Sequence, residues 1–274
     1  MITEEDAIEN EEEVFNINDV LIQISSDTKD IAHEKNIELI YEMGPNTPTK
    51  LRGNSEVLSQ LLSKMLTFIF QNSDRKEIVL SLSSPKDFLY EEFISFHTKE
   101  TNIEKEKLLV FLKTDLHKEI ETLGAKIIID HENSSDIHLS IPFKNFELGF
   151  RRHYRLPDKK ALNKKVLLLC ANDKTAQSLK KMFEYFNYDA TVSMDESKKK
   201  GNTLMTYDLL IISEKIFTEK NKKAILKAQE SSALKYVLLH EAHSLDANEE
   251  STNYARFVKP ITQEKIFDLI ISLF

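Results

Sequence analysis

Along the chain the spacing of apolar residues switches between a period of two and one near three and a half, and the switches mark out the elements. Val166, Leu167, Leu168 and Leu169 are four apolar residues in a row with lysines in front. They are followed by Leu179, Met182, Phe183 and Phe186 at helical spacing. A buried strand running straight into an amphipathic helix is the opening unit of a doubly wound α/β domain, whose ligands sit beyond the carboxyl ends of the strands. Further strands are predicted at residues 190–194, 208–212, 236–239 and 257–258, with helices between them and a last helix at 263–273. Five such strands predict a flavodoxin-like parallel sheet with right-handed connections.

The first half reads differently. A short strand at 14–17 precedes a helix in which Asn18 serves as cap and Val20, Leu21, Ile24 and Ile31 share one face, ending near Asn36. Residues 37–41 alternate as a strand, and Gly44, Pro45 and Pro48 then break the chain. Asn54 starts a strongly apolar helix, followed by strands at 77–82 and 93–96, a mostly helical stretch at 103–123, and a closing hairpin of 126–130 with 137–141. These elements predict an α/β sandwich.

With 274 residues the chain accommodates two domains. The expected division is an acidic lead-in at 1–13, a first domain at 14–144, a linker at 145–163 and a second domain at 164–274. A net charge of −8 argues against nucleic acid, which demands a basic footprint. The single cysteine, Cys170, excludes an intrachain disulfide and a cysteine zinc cluster and fits a reducing compartment. No apolar run approaches the roughly 18 residues of a membrane helix, and the acidic start is the opposite of a signal peptide, so a cytoplasmic location without membrane contact is expected. The five glycines never fall closer than nine positions apart, which leaves no phosphate-cradling loop.

Candidate chemistry outside these patterns is thin. His240, Glu241 and His243 resemble a zinc-protease motif at the wrong spacing. His33, His131 and His138 read as surface residues, Cys170 as core, and the lysines at 198–200 as a solvated face. Arg151, Arg152 and Arg155 form a basic patch in the linker, and are the candidates for docking onto an acidic surface.

The order of elements in the first half, with Phe15, Asn18, Leu21, Glu34, Lys35, Ile37, Arg52, Gly53, Leu58, Gln60 and Leu61, then EIVLSLS, LGAKI and IPF, resembles the ATP-binding domain of sensor histidine kinases. The resemblance runs to Pro142. It implies two asparagines in the long helix, the second binding magnesium, where this chain has Lys64 and Phe68. It implies an adenine-recognising aspartate–glycine motif where this chain has Thr98, Glu100 and Asn102, and a glycine-rich lid in 109–118, an interval without glycine. Phenylalanine cannot ligate magnesium, so nucleotide binding is expected to be lost or weakened.

From Lys164 onward the chain is similar to the receiver domain of response regulators, with Lys259-Pro260 after the fifth strand completing the likeness. The resemblance implies metal-binding acids at Cys170 and Ala171, a phosphorylated aspartate at Ser213, a switch threonine at His240 and a switch aromatic at Arg256. Lys259 alone matches a functional position. Acyl-phosphate formation requires a carboxylate nucleophile and a divalent ion, and Ser213 beside Cys170 supplies neither. Asp173 and Glu214 lie near the same rim and offer a displaced cation site as the rival to ordinary solvated carboxylates.

The resulting expectation is a non-catalytic two-component signalling module acting as an interaction scaffold or regulator, with no phosphoacceptor and no cofactor. The expected partners are signalling proteins, a kinase or response regulator among them, or a second copy of the chain. Its docking surface would be surplus apolar area on the last helix at Ile261, Ile266, Phe267, Ile270 and Leu273. Two alternatives remain at this point: the ATPase and receiver portion of a hybrid histidine kinase that still uses ATP and magnesium, and a small-molecule sensor built on the vacated nucleotide pocket near Phe68.

Overall fold

In the computed structural model, which describes residues 12–85, 91–130, 136–145, 154, 161–193, 201–242 and 257–274, the chain divides into two compact units, Met1–His153 and Tyr154–Phe274. Each unit is built around its own sheet. Among the described residues no helix is long and apolar enough to cross a membrane.

The first unit runs β1 (Glu13–Asn16), α1 (Ile17–Asp27), α2 (Lys29–Lys35), β2 (Glu38–Met43), β3 (Lys50–Gly53), α3 (Ser55–Asn72), β4 (Glu77–Ser83), β5 (Glu91–Thr98), α4 (Lys105–Thr114), α5 (His117–Thr122), β6 (Lys126–Asp130) and β7 (Asp136–Asn145). Its sheet has the order β1-β3-β7-β5-β4-β2, with β6 also paired to β7. Only the β2 and β4 pair is parallel. Alternation along the strands gives the sheet two different faces: Ile94, Phe96 and Thr98 of β5 and Ile137, Leu139, Ile141 and Phe143 of β7 are buried, while Phe93 and Ile128 stay exposed on the other side. Against the buried face lies α3, which inserts Leu58, Leu61, Leu62, Met65, Leu66, Ile69 and Phe70. Asn54 caps it by accepting from the Val57 amide at 2.9 Å. At Gly53 an added Cβ would come within 2.8 Å of the Phe143 ring, so only glycine lets β3 cross there.

Two local expectations are corrected. The cap of α1 is Asn16, whose Oδ1 accepts from the Asn18 amide at 3.0 Å, and Asn18 itself is buried in the first turn. Two asparagines so close offer the same local signal, and burial decides between them. The helix also does not run unbroken to Asn36. At Thr28 the hydroxyl bonds back to the Ile24 carbonyl at 2.7 Å while the backbone leaves helical angles, so Ile31 falls on the separate α2, which buries no residue.

The second unit comprises β8 (Lys165–Leu169), α6 (Asp173–Tyr185), β9 (Asp189–Val192), α7 (Gly201–Leu204), β10 (Leu209–Ser213), a 3-10 turn at Glu214–Ile216, α8 (Glu219–Ser231), β11 (Lys235–His240), β12 (Phe257–Val258) and α9 (Gln263–Leu273). All pairings are parallel, in the order β12-β11-β10-β8-β9, the doubly wound order in which the first strand lies between the second and third. Central β8 and β10 are buried on both faces, as parallel strands covered by helices must be. One face forms a cluster of Leu167, Leu169, Leu204, Leu210, Ile212, Ile225, Ala228 and Leu234.

The surplus apolar surface expected on the last helix is absent. Ile261, Ile266, Leu269 and Ile270 are buried, and Phe267 packs its ring 5.5 Å from Tyr154 and 6.0 Å from Phe186. Tyr154, from within the predicted linker, supplies the cover that the helix alone lacks; only Ile271 of α9 remains a large exposed hydrophobe.

Candidate functional site

In the first unit, α3 and α4 flank a cleft of about 900 Å³. Its wall holds the two positions that the family resemblance assigns to asparagines. Phe68 lies flat on Phe111 of α4, with centroids 3.9 Å apart and rings inclined by only 5°. Lys64 donates to Glu119 Oε1 at 2.5 Å. The interval where a glycine-rich lid was sought, 109–118, holds the end of α4 and the start of α5; the run KLLVFL has helical spacing, buries Leu108 and Leu112 and contains no glycine to loosen it. At one end Ser63 donates to Asp27 at 2.8 Å.

Beside this cleft the chain turns sharply after β5. Glu100 and Asn102, the positions where glycines are implied, both adopt left-handed backbone, with φ of 53° and 55°. Arg75 spans the turn, donating from Nε to the Glu100 carbonyl at 3.1 Å and from Nη2 to Asn102 Oδ1 at 3.4 Å. Asn102 in turn donates to Asp74 at 3.1 Å. Thr98, in place of the aspartate, is fully buried, and its hydroxyl finds no hydrogen-bond partner among the described residues.

The carboxyl edge of the second sheet gathers the ends of β8, β10, β11 and β12. Cys170 is buried and Ala171 exposed, while Asn172 caps α6 through the Thr175 amide at 3.2 Å. Ser213 is fully buried, with a hydroxyl that has no partner among the described residues. Glu214 turns towards β11, where its two oxygens meet His240 Nδ1 and the Glu241 amide, each at 2.8 Å. Glu241 accepts from Lys259 at 2.8 Å and pairs with Lys215 at 3.2 Å. The side chain of Lys259 is only 5% exposed. Asp173 accepts from Gln177 on its own helix, while both oxygens of Glu214 are taken up by His240 and the Glu241 amide.

A third cluster was invisible as a motif. His138 is not a plain surface residue: its ring stacks on His97 at 3.6 Å, and Asp136 Oδ2 lies 3.3 Å from His97 Nε2. All three are half-buried. Burial and the neighbouring His138 hold the His97 pKa below its usual value, against the opposing pull of its hydrogen bond to the Asp136 carboxylate. The available signal was the occurrence of His97 and His138 in two alternating strands, but their pairing depends on register. Arg151, Arg152, Arg155, Arg256, His131, His243 and the lysines at 198–200 lie outside the described residues.

Neither a protein-family model nor a curated protein matches the sequence. Among solved structures, the full-length ShkA in complex with AMPPNP superposes with a TM-score of 0.63 at 13% identity, over 96% of this chain and 57% of that one. The Acinetobacter baumannii histidine kinase AdeS covers 49% of this chain and 68% of its own, at 15% identity and a TM-score of 0.39. The catalytic domain of histidine kinase ThkA covers 48% of this chain and 95% of its own, at 16% identity and a TM-score of 0.39. The chain therefore has a histidine-kinase-like α/β fold, and it spans little more than half the length of the ShkA structure.

Proposed function

We propose that this chain is a non-catalytic two-component signalling module that works as an interaction scaffold or regulator. In this reading residues 14–144 are a degenerate histidine-kinase ATPase-like domain, 145–163 a linker and 164–274 a degenerate receiver-like domain. The observation that carries it is the stack of Phe68 on Phe111. An aromatic ring occupies the place implied for a magnesium ligand, and the helix that supplies its partner runs into the interval implied for the lid. The turn at 98–102 supports the same match, since it keeps glycine-type backbone at Glu100 and Asn102 while its adenine-recognising carboxylate has become a buried threonine. In the second unit the implied nucleophile is the buried Ser213, and Lys259, the one matching functional residue, is engaged by Glu241. In the first site Phe68 offers magnesium no oxygen, and in the second Glu214 and Glu241 are engaged by His240, Lys215 and Lys259. Signalling proteins, including a kinase or response regulator, are the proposed partners, with Arg151, Arg152 and Arg155 as the docking residues for an acidic surface.

Calorimetric titration with AMPPNP, with and without magnesium, tests this reading. No saturable heat up to millimolar ligand is expected. Saturable, magnesium-dependent binding would overturn it in favour of the hybrid-kinase alternative. The cleft favours one further reading, a small-molecule sensor, because Phe68, Val110 and Phe111 give it an apolar wall within the size range of ligand pockets. Native mass spectrometry of the purified chain should then reveal a bound organic molecule that Phe111→Glu loses.

A further inference from the structure

The outward face of the first sheet holds a constellation that the proposed function does not use. His97 of β5 and His138 of β7 are directly opposed in the antiparallel register, and Asp136, two residues before His138, occupies the diagonal position on the same face. Directly opposed residues have Cβ atoms about 4.5–5.5 Å apart, close enough for two imidazoles to share one ligand. One donor atom from each of the three side chains lies within 4.8 Å of the others. The second oxygen of Asp136, Oδ1, accepts from the Glu100 amide at 2.8 Å, which orients the carboxylate as an outer hydrogen bond orients a metal ligand.

We propose that His97, Asp136 and His138 form a binding site for a divalent first-row transition metal such as Zn²⁺. Two imidazoles and one carboxylate suit zinc, copper or nickel, whereas magnesium and calcium demand oxygen ligands and find only one residue here that provides them. Three protein ligands leave one position of a tetrahedral shell for water or an outside donor. Metal–ligand distances of about 2.1 Å place tetrahedral donors roughly 3.4 Å apart. Closing from within 4.8 Å to that spacing requires the imidazoles to give up their stack by side-chain rotation and asks for no change in the β5–β7 register. Because Asp136 also holds the Glu100 amide, the ion would tie the two strands to the turn at 98–102.

The rival reading is a stacked imidazole pair with a hydrogen-bonded carboxylate, and zinc titration of the full chain separates the two. With ZnCl₂ as the probe, calorimetry should show one site per chain, unaffected by millimolar magnesium. His97→Gln and His138→Gln should each weaken it at least tenfold, in line with the sensitivity of metal sites even to outer-shell changes. Asp136→Asn keeps the residue's shape and should weaken zinc measurably, providing a readout if a histidine variant fails to fold. Co²⁺ should give visible ligand-field absorption that disappears in the same variants. Absence of binding up to millimolar zinc would overturn the proposal. So would a site that survives His97→Gln/His138→Gln and is lost instead on His117→Gln, since exposed His117 faces Glu121 at 3.2 Å one helical turn away.

Discussion

The cleft of the first unit and the carboxyl edge of the second sheet are built from opposite materials. Between α3 and α4 the chain presents an aromatic pair and leaves about 900 Å³ of space. At the ends of β10, β11 and β12 it presents polar and charged groups that engage one another: Glu214 with His240, and Glu241 with both Lys215 and Lys259. The first arrangement offers an apolar wall of the kind that small-molecule pockets use. In the second, Lys259 is already engaged by a carboxylate of the same chain. The two places thus differ in what they offer: the first presents a concavity with an apolar wall, the second a set of polar groups engaged with one another.

Breaking the ion-paired edge should have the largest effect. Glu241→Leu strips a carboxylate from the almost fully buried Lys259, and removal of one partner of a buried pair costs about 3–5 kcal/mol. Urea unfolding followed by a probe in the second unit would register it, and Glu241→Leu/Lys259→Met should recover much of the loss. The cleft should be more forgiving. Phe111→Ala removes a half-buried ring and its stack on Phe68, for an expected loss of about 1–3 kcal/mol in the first unit. A loss as large as that of Glu241→Leu would mean that the cleft wall is core rather than surface. Glu100→Gly should act in the opposite direction: φ of 53° is unfavourable for glutamate, and relief of about 1 kcal/mol should raise the melting temperature of the first unit.

The smallest effect concerns pH. Burial holds the Lys265 pKa below 10.5, where its Nζ donates to the Val258 and Pro260 carbonyls at 3.3 and 3.1 Å. Between the lowered folded value and 10.5 the unfolded chain binds more protons than the folded one, so this group makes stability rise with pH across that alkaline window. Lys265→Met should remove the rise. A wild-type minus variant difference that stays flat through the window would show Lys265 to be solvated in both states.

Much of the fold was legible in the residues themselves. The four apolar residues from Val166 are buried in β8, the last helix has the expected bounds, and Asn54 caps α3, because helix periodicity, strand alternation and capping are decided by bonds among residues a few positions apart. The same locality explains the misreadings: Asn16 and Asn18 give equal capping signals, and nothing near Thr28 announces that its hydroxyl will turn back on Ile24. The candidate sites were legible only as lists of residue types. That Phe68 would meet Phe111, that Lys259 would find Glu241 rather than open solvent, and that Tyr154 would cover α9 follow from packing between distant segments. Strand register decided the rest. A shift of one residue between β5 and β7 would send His97 and His138 to opposite faces, so composition and periodicity supplied the two imidazoles while tertiary pairing alone brought them together beside Asp136.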